Sequence, residues 1–178
     1  MIGLEGTDRL DVVAVRLVKQ EPILSGHKIE TAEDAVAAVG DFLCGLDREV
    51  LCVINMKSDG TPVSCNFASV GVLNGCTASA REIFKSSILS NAAFMLLVHN
   101  HPSGRLVPSK EDTMLTDRMV ELCAMMDIPL MDHVIVGGDN WQYFSFREQG
   151  ILINPHHEYC MDYRKLSFDA PKAAERAR

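Results

Sequence analysis

Positions 99 to 112 read HNHPSGRLVPSKED and gather two imidazoles, a hydroxyl and a carboxylate in one short stretch: His99, His101, Ser109 and Asp112. Neutral imidazole nitrogens bind metals near pH 7, and zinc accepts two histidines and one carboxylate at about 2.0 to 2.2 Å, leaving a fourth position for water in a catalytic site. The chemistry on offer is metal-assisted hydrolysis. Each residue also has a plain structural role. His99 suits a strand-end histidine bonded to a backbone carbonyl, His101 suits a loop position with no task, and Asp112 suits a cap for Ser109, because S-x-x-D is a common helix start. Taken together, two imidazoles and a carboxylate at a helix start point to metal.

Those side chains converge only if particular elements deliver them. AFMLLVHN, from Ala93 to Asn100, is nearly continuous in apolar residues and reads as a strand buried on both faces. If the strand runs on into HNH, alternation puts His99 and His101 on one side of the backbone. The loop PSGRLVP leads to Ser109 as N-cap of a helix carrying Leu115, Met119, Leu122, Cys123 and Met126 along one face. Asp112 is then the N3 residue. It faces back toward the entering chain, and the helix macrodipole stabilises its ionised form.

Upstream, LDVVAVRLV from Leu10 to Val18 has the β-branched content of a strand, and a polar connection reaches Thr31. Thr31 with Asp34 predicts a capping box for a helix over 32–43, with Ala35, Val36, Val39, Phe42 and Leu43 inward. A strand beginning near Glu49, a turn at SDG and a strand over 62–67 predict a hairpin, with a further extended stretch over 68–73. Ser79 with Glu82 signals a second capped helix ending near Ser90. Downstream, DHVIVGG and WQYFSF read as strands joined by GGDN, Ile151 to Ile153 as another short strand, and the end from about Lys165 as polar and frayed. The expected object is an α/β fold with a mixed β-sheet flanked by helices.

Composition bounds the function. With 47% hydrophobic and 23% charged residues the chain is an ordinary globular one, and a net charge of -7 argues against holding polyanions such as DNA by bulk attraction. No N-terminal segment reads as a secretory signal and no apolar run reaches membrane-spanning length, so no membrane partner and a cytoplasmic setting are expected. Cys44, Cys52, Cys65, Cys76, Cys123 and Cys160 form no CxxC pair and read as buried thiols. GxGxxG, GxxxxGK[ST] and HExxH motifs are missing, which removes the usual cues for dinucleotides, nucleotide phosphates and one large class of zinc peptidases. His133 reads as a satisfied structural histidine, or else as a contact behind the metal ligands. His156 and His157 near Cys160 are not expected to make a second metal cluster. Trp141, Tyr143, Phe144 and Phe146 read as core or sheet-face aromatics rather than a base-stacking platform, and Met125 and Met126 as helix packing.

The string H99-N-H101-P-S-G with S109-x-x-D112 resembles the JAMM, or MPN-plus, metalloprotease signature. The wider LVHNHPSGRLVPSKED is similar to its version in the RadC family, named for DNA repair, and the likeness continues through REIF at 81–84, DHVIVGG at 132–138 and YFSFREQG at 143–150. It covers roughly 29–150. The resemblance implies a JAB/MPN, cytidine-deaminase-like fold in which His99, His101 and Asp112 ligate Zn2+ and Ser109 helps orient or stabilise the reacting oxygen. It also puts Glu49 in the place of the catalytic glutamate, although Glu49 equally suits an exposed strand-entry carboxylate paired with Arg48 or another base. The expected organisation is an N-terminal strand and connection over 1–30, the RadC-like JAB/MPN domain over 31–160 and a polar tail over 161–178. The leading function is zinc-dependent hydrolysis of peptide or isopeptide bonds in an unidentified substrate. The alternatives are a RadC-like DNA-repair-associated protein and a noncatalytic metal-binding scaffold. Compared with the longer RadC-like architecture, the chain has no room upstream for a full helix-hairpin-helix domain, which weakens the expectation of direct DNA recognition.

Overall fold

The computed structural model describes residues 12–14, 16–20, 27–71, 78–137 and 142–153. Helix α1 (Ala32–Cys44) starts at a complete capping box, with the Thr31 side chain accepting from the Asp34 amide and the Asp34 carboxylate accepting from the Thr31 amide. The hairpin strands are β1 (Val50–Met56) and β2 (Pro62–Val70), turning at Gly60, whose φ of 81° falls in the left-handed region that suits glycine. Helix α2 (Ala80–Leu89) precedes β3 (Phe94–His101), and α3 (Lys110–Met125) carries the chain to β4 (Leu130–Gly137) and β5 (Gln142–Ser145).

The strands form one sheet in the order β2-β1-β3-β4-β5. Only β3 and β4 are parallel, and α3 supplies the crossover that a parallel pair requires. Every residue of β1 is buried, and so is all of β3 after its first residue, because helices cover both sheet faces. On one face Ala35, Val36, Val39 and Leu43 of α1 pack over Cys52, Ile54, Leu96 and Val98. On the other, Ile83 and Phe84 of α2 with Met119 and Cys123 of α3 pack over Leu51, Val53, Met95 and Leu97. Burying a side chain of this size stabilises by about 1.5–3 kcal/mol, so the central strands cannot exchange faces without losing most of the core.

Several expectations need correction. Among the described residues of Leu10 to Val18 there is no strand, and Val12, Val13 and Val18 are exposed, because β-branched content makes a strand only where a neighbour pairs with it. Ile151 to Ile153 is not a strand either. The amides of Ile151 and Leu152 both donate to the Phe146 carbonyl, which closes a turn after β5. The second strand of the hairpin runs on to Val70, absorbing the start of the separate stretch expected over 68–73. Ser79 sits at the N-cap of α2 without a side-chain cap bond, and Glu82 pairs with Lys85 at 2.7 Å instead. Phe42, Met125 and Met126 are exposed rather than packed inward, Phe42 stacking on Phe67 with centroids 4.8 Å apart. Cys52 and Cys123 are buried thiols, but Cys65 is exposed, its Sγ 2.8 Å from that of Cys52. Trp141, Cys76, Cys160, His156, His157 and the polar tail lie outside the described residues.

Candidate metal centre

Strand β3 ends in HNH, and its extension to His101 keeps both imidazoles on the face covered by α2 and α3. Their Nε2 atoms are 2.9 Å apart. Helix α3 returns Asp112 to the same point, with Oδ1 3.2 Å from His99 Nε2 and Oδ2 3.4 Å from His101 Nε2. Atoms bound to one zinc in a tetrahedron at about 2.0–2.1 Å lie roughly 3.3 Å apart, so the three residues match the spacing of a shared ion. Among the described residues they are the one group of three metal-ligating side chains brought together.

The donor chemistry agrees. His101 Nδ1 is 2.6 Å from the Arg105 carbonyl, which only accepts, so Nδ1 carries the hydrogen and Nε2 is left as a lone pair. Two nitrogens and a carboxylate, facing each other in a mostly buried pocket, need a cation between them. The hydrogen bond to Asp112 holds His101 above the ordinary imidazole range although burial opposes it, and the Glu49 charge adds to the effect. For Asp112 burial acts to push the carboxyl up, but the neighbouring His101 and His99 outweigh it and hold the group well below the usual carboxylate range.

The cap and the place in the His-His-Asp group, which sequence presents as alternatives for Asp112, coexist. Oδ2 accepts from the Ser109 amide at 2.7 Å and from its hydroxyl at 2.6 Å, while the Ser109 hydroxyl accepts from the Asp112 amide at 3.1 Å. Ser109 is therefore occupied in the capping box. Glu49 lies half-buried immediately before β1, two residues ahead of Leu51, which pairs with His99, and its charge acts on His101. Arg48 does not take it, because its guanidinium is paired with Asp47 at 2.8 Å. Among the described residues the Glu49 carboxylate makes no hydrogen bond or ion pair.

Three contributors escaped the sequence reading or were underrated by it. Asn100, on the opposite face between the two ligands, accepts from the Val50 amide at 2.8 Å and donates to the Arg48 carbonyl at 2.9 Å, bracketing Glu49. His133 is wholly buried, with Nε2 2.8 Å from His99 Nδ1 and Nδ1 2.6 Å from the Thr116 hydroxyl. Burial pushes its ring well below the ordinary imidazole range. Thr116 had a signal that could have found it, being four residues after Asp112 and hence on the same helix face. The residue before His133 in the DH pair, Asp132, is structural. Its carboxylate accepts from the His133 and Arg147 amides and the Ser145 hydroxyl, pinning the corner after β5.

The model of the RadC-like JAB domain matches residues 29–151. The chain belongs to the RadC-like JAB domain family. A UPF0758 protein, YeeS, of Escherichia coli is 38% identical over 110 residues, spanning 62% of this chain and 73% of that one. UPF0758 proteins of Rubrobacter xylanophilus and Desulforamulus reducens are 40% and 37% identical over 124 residues. The matched part is 53% and 54% of their lengths, so the chain spans about half of these two relatives. Their names state no activity. What the family adds to the geometry is a JAB-type fold, in which this chain places the His-His-Asp group at the end of β3.

Proposed function

We propose that this RadC-like JAB domain is a zinc-dependent hydrolase of peptide or isopeptide bonds. The observation that carries the reading is the convergence of His99 Nε2, His101 Nε2 and Asp112 Oδ1 at the end of β3, with Glu49 immediately before the adjoining strand and its charge acting on His101. When bound, zinc would be held by His99, His101 and Asp112 and would supply Lewis-acid chemistry for the amide carbonyl and for water activation. Glu49 takes the proton of the attacking water and returns one to the departing amine, a general-base then general-acid role. Asn100 fixes the strand entry that carries Glu49. Ser109 holds the Asp112 carboxylate through its own hydroxyl, and reorienting that hydroxyl toward the tetrahedral oxygen would add a hydrogen bond where negative charge develops.

Family membership equally supports a RadC-like protein that keeps the metal group without turnover, in DNA repair or as a scaffold. One experiment separates the readings: zinc-loaded protein is offered a panel of peptides and isopeptide-linked conjugates, alongside Glu49→Gln. The hydrolase reading expects cleavage by wild type and a loss of about 10²–10⁴-fold in kcat in Glu49→Gln with zinc content unchanged. Zinc binding without cleavage of any conjugate supports the scaffold, and salt-sensitive binding of duplex or branched DNA supports the repair association.

A further inference from the structure

Four polar groups behind the metal centre form a chain whose direction can be deduced from its last member. We propose that Thr116 and His133 are positioning residues that fix the tautomer of His99 and so aim its Nε2 lone pair at the metal. The inference rests on reading His99, His101 and Asp112 as a metal centre, and it does not depend on hydrolysis.

The deduction starts at the Asp112 carbonyl, 2.7 Å from the Thr116 hydroxyl. A carbonyl only accepts, so the hydroxyl hydrogen is directed there and the Thr116 oxygen offers a lone pair to His133 Nδ1 at 2.6 Å. His133 Nδ1 is therefore the N–H. A neutral imidazole has one such hydrogen, which leaves Nε2 as an acceptor 2.8 Å from His99 Nδ1. His99 Nδ1 must then be an N–H, and its Nε2 the lone pair that faces His101 and Asp112. Rotating the Thr116 hydrogen onto His133 Nδ1 reverses every bond and leaves His99 with an Nε2 hydrogen where the metal should be.

The two ligand histidines need different devices because they sit differently. His101 lies at the end of β3, where the loop folds back and brings the Arg105 carbonyl to its ring. His99 lies between β1 and β4 with its backbone committed to the sheet, so its ring is oriented by a side chain from the next strand. His133 cannot swing away, because it is wholly buried and stacked on Phe146 with centroids 5.1 Å apart and planes 8° from parallel. The chain also begins and ends on metal ligands, running from the Asp112 main chain to the His99 ring. It ties the helix ligand to the strand ligand before any ion arrives.

The test uses zinc alone. In zinc-loaded, nitrogen-15-labelled wild type, imidazole NMR should show both His133 and His99 protonated at Nδ1. Chelator competition should show zinc affinity falling about 10–100-fold in His133→Leu, with most of it regained in His133→Gln, whose amide oxygen offers His99 an acceptor. Thr116→Val, nearly isosteric and the milder change, should weaken zinc several-fold and let His133 populate its other tautomer. An Nε2–H tautomer of His133 in the zinc-loaded protein overturns the proposal, and so does a folded His133→Leu or Thr116→Val with wild-type zinc affinity. Failure of the wild type to bind zinc would overturn the metal reading itself, which keeps the two failures distinct.

Discussion

Asp112 Oδ2 accepts from the amide and hydroxyl of Ser109 and also faces His101 Nε2, while Oδ1 faces His99 Nε2, so one carboxylate both starts α3 and completes the His-His-Asp group. Replacing Ser109 by Ala should cost about 0.5–2 kcal/mol of stability through the lost cap while leaving the zinc content near that of wild type. Denaturant unfolding and metal analysis on the same samples check both halves. The pH dependence follows from His101, whose folded pKa is raised above the ordinary imidazole value. A metal entering at low pH must displace the proton held there, so zinc affinity should fall as pH drops from about 8 to about 5.5 and level off above the raised pKa. Chelator competition across that range measures it. At these positions the grouping of His99, His101 and Asp112 was legible, because residue type and two-residue spacing suffice. The sharing of Asp112 between cap and ligand was not, since it depends on where each oxygen of one side chain points.

Between β1 and β3 the regular backbone pairing stops at Leu51 and His99, and the Asn100 amide continues it with one bond to Val50 and one to Arg48. A side-chain amide here stands in for a peptide group. Asn100→Ala should leave the Val50 amide and the Arg48 carbonyl without that partner, costing about 1–3 kcal/mol. It should lower turnover more than zinc content, because Glu49 loses its fixed entry while the histidines stay in the sheet. The outcome to measure is kcat against metal stoichiometry, and an unchanged kcat in a folded variant would remove Asn100 from the account. The strand that ends in HNH, the Thr31 box and the hairpin were legible from periodicity and turn chemistry. The strand expected over 10–18 and the one over 151–153 were not, because propensity cannot show whether a neighbouring strand is present to pair with. Close approach is equally hidden. A Cβ on Gly137, at the end of β4, would sit 3.0 Å from the Gly104 carbonyl oxygen, so the loop between His101 and Ser109 packs directly on that glycine.

The five-stranded sheet gathers at one end what the chain separates: Glu49 before β1, the histidines at the end of β3, Asp112 in the first turn of α3 and His133 on β4. No described helix is long and apolar enough to cross a membrane. The order of the strands was the least legible feature, because β3 lies between β1 and β4 only through long-range pairing, and that pairing is what brings His133 behind His99. The signature around HNHPSG conveyed the His-His-Asp group and the family, whereas the residues around that group emerged only once strands and helix were placed together. The deciding measurement is the zinc content of metal-replete wild type and of Asp112→Ala. One zinc per chain in wild type and a near-complete loss in the substitution is the expected result. Wild type without zinc, or Asp112→Ala with its zinc intact, would contradict the assignment of His99, His101 and Asp112 as the metal centre.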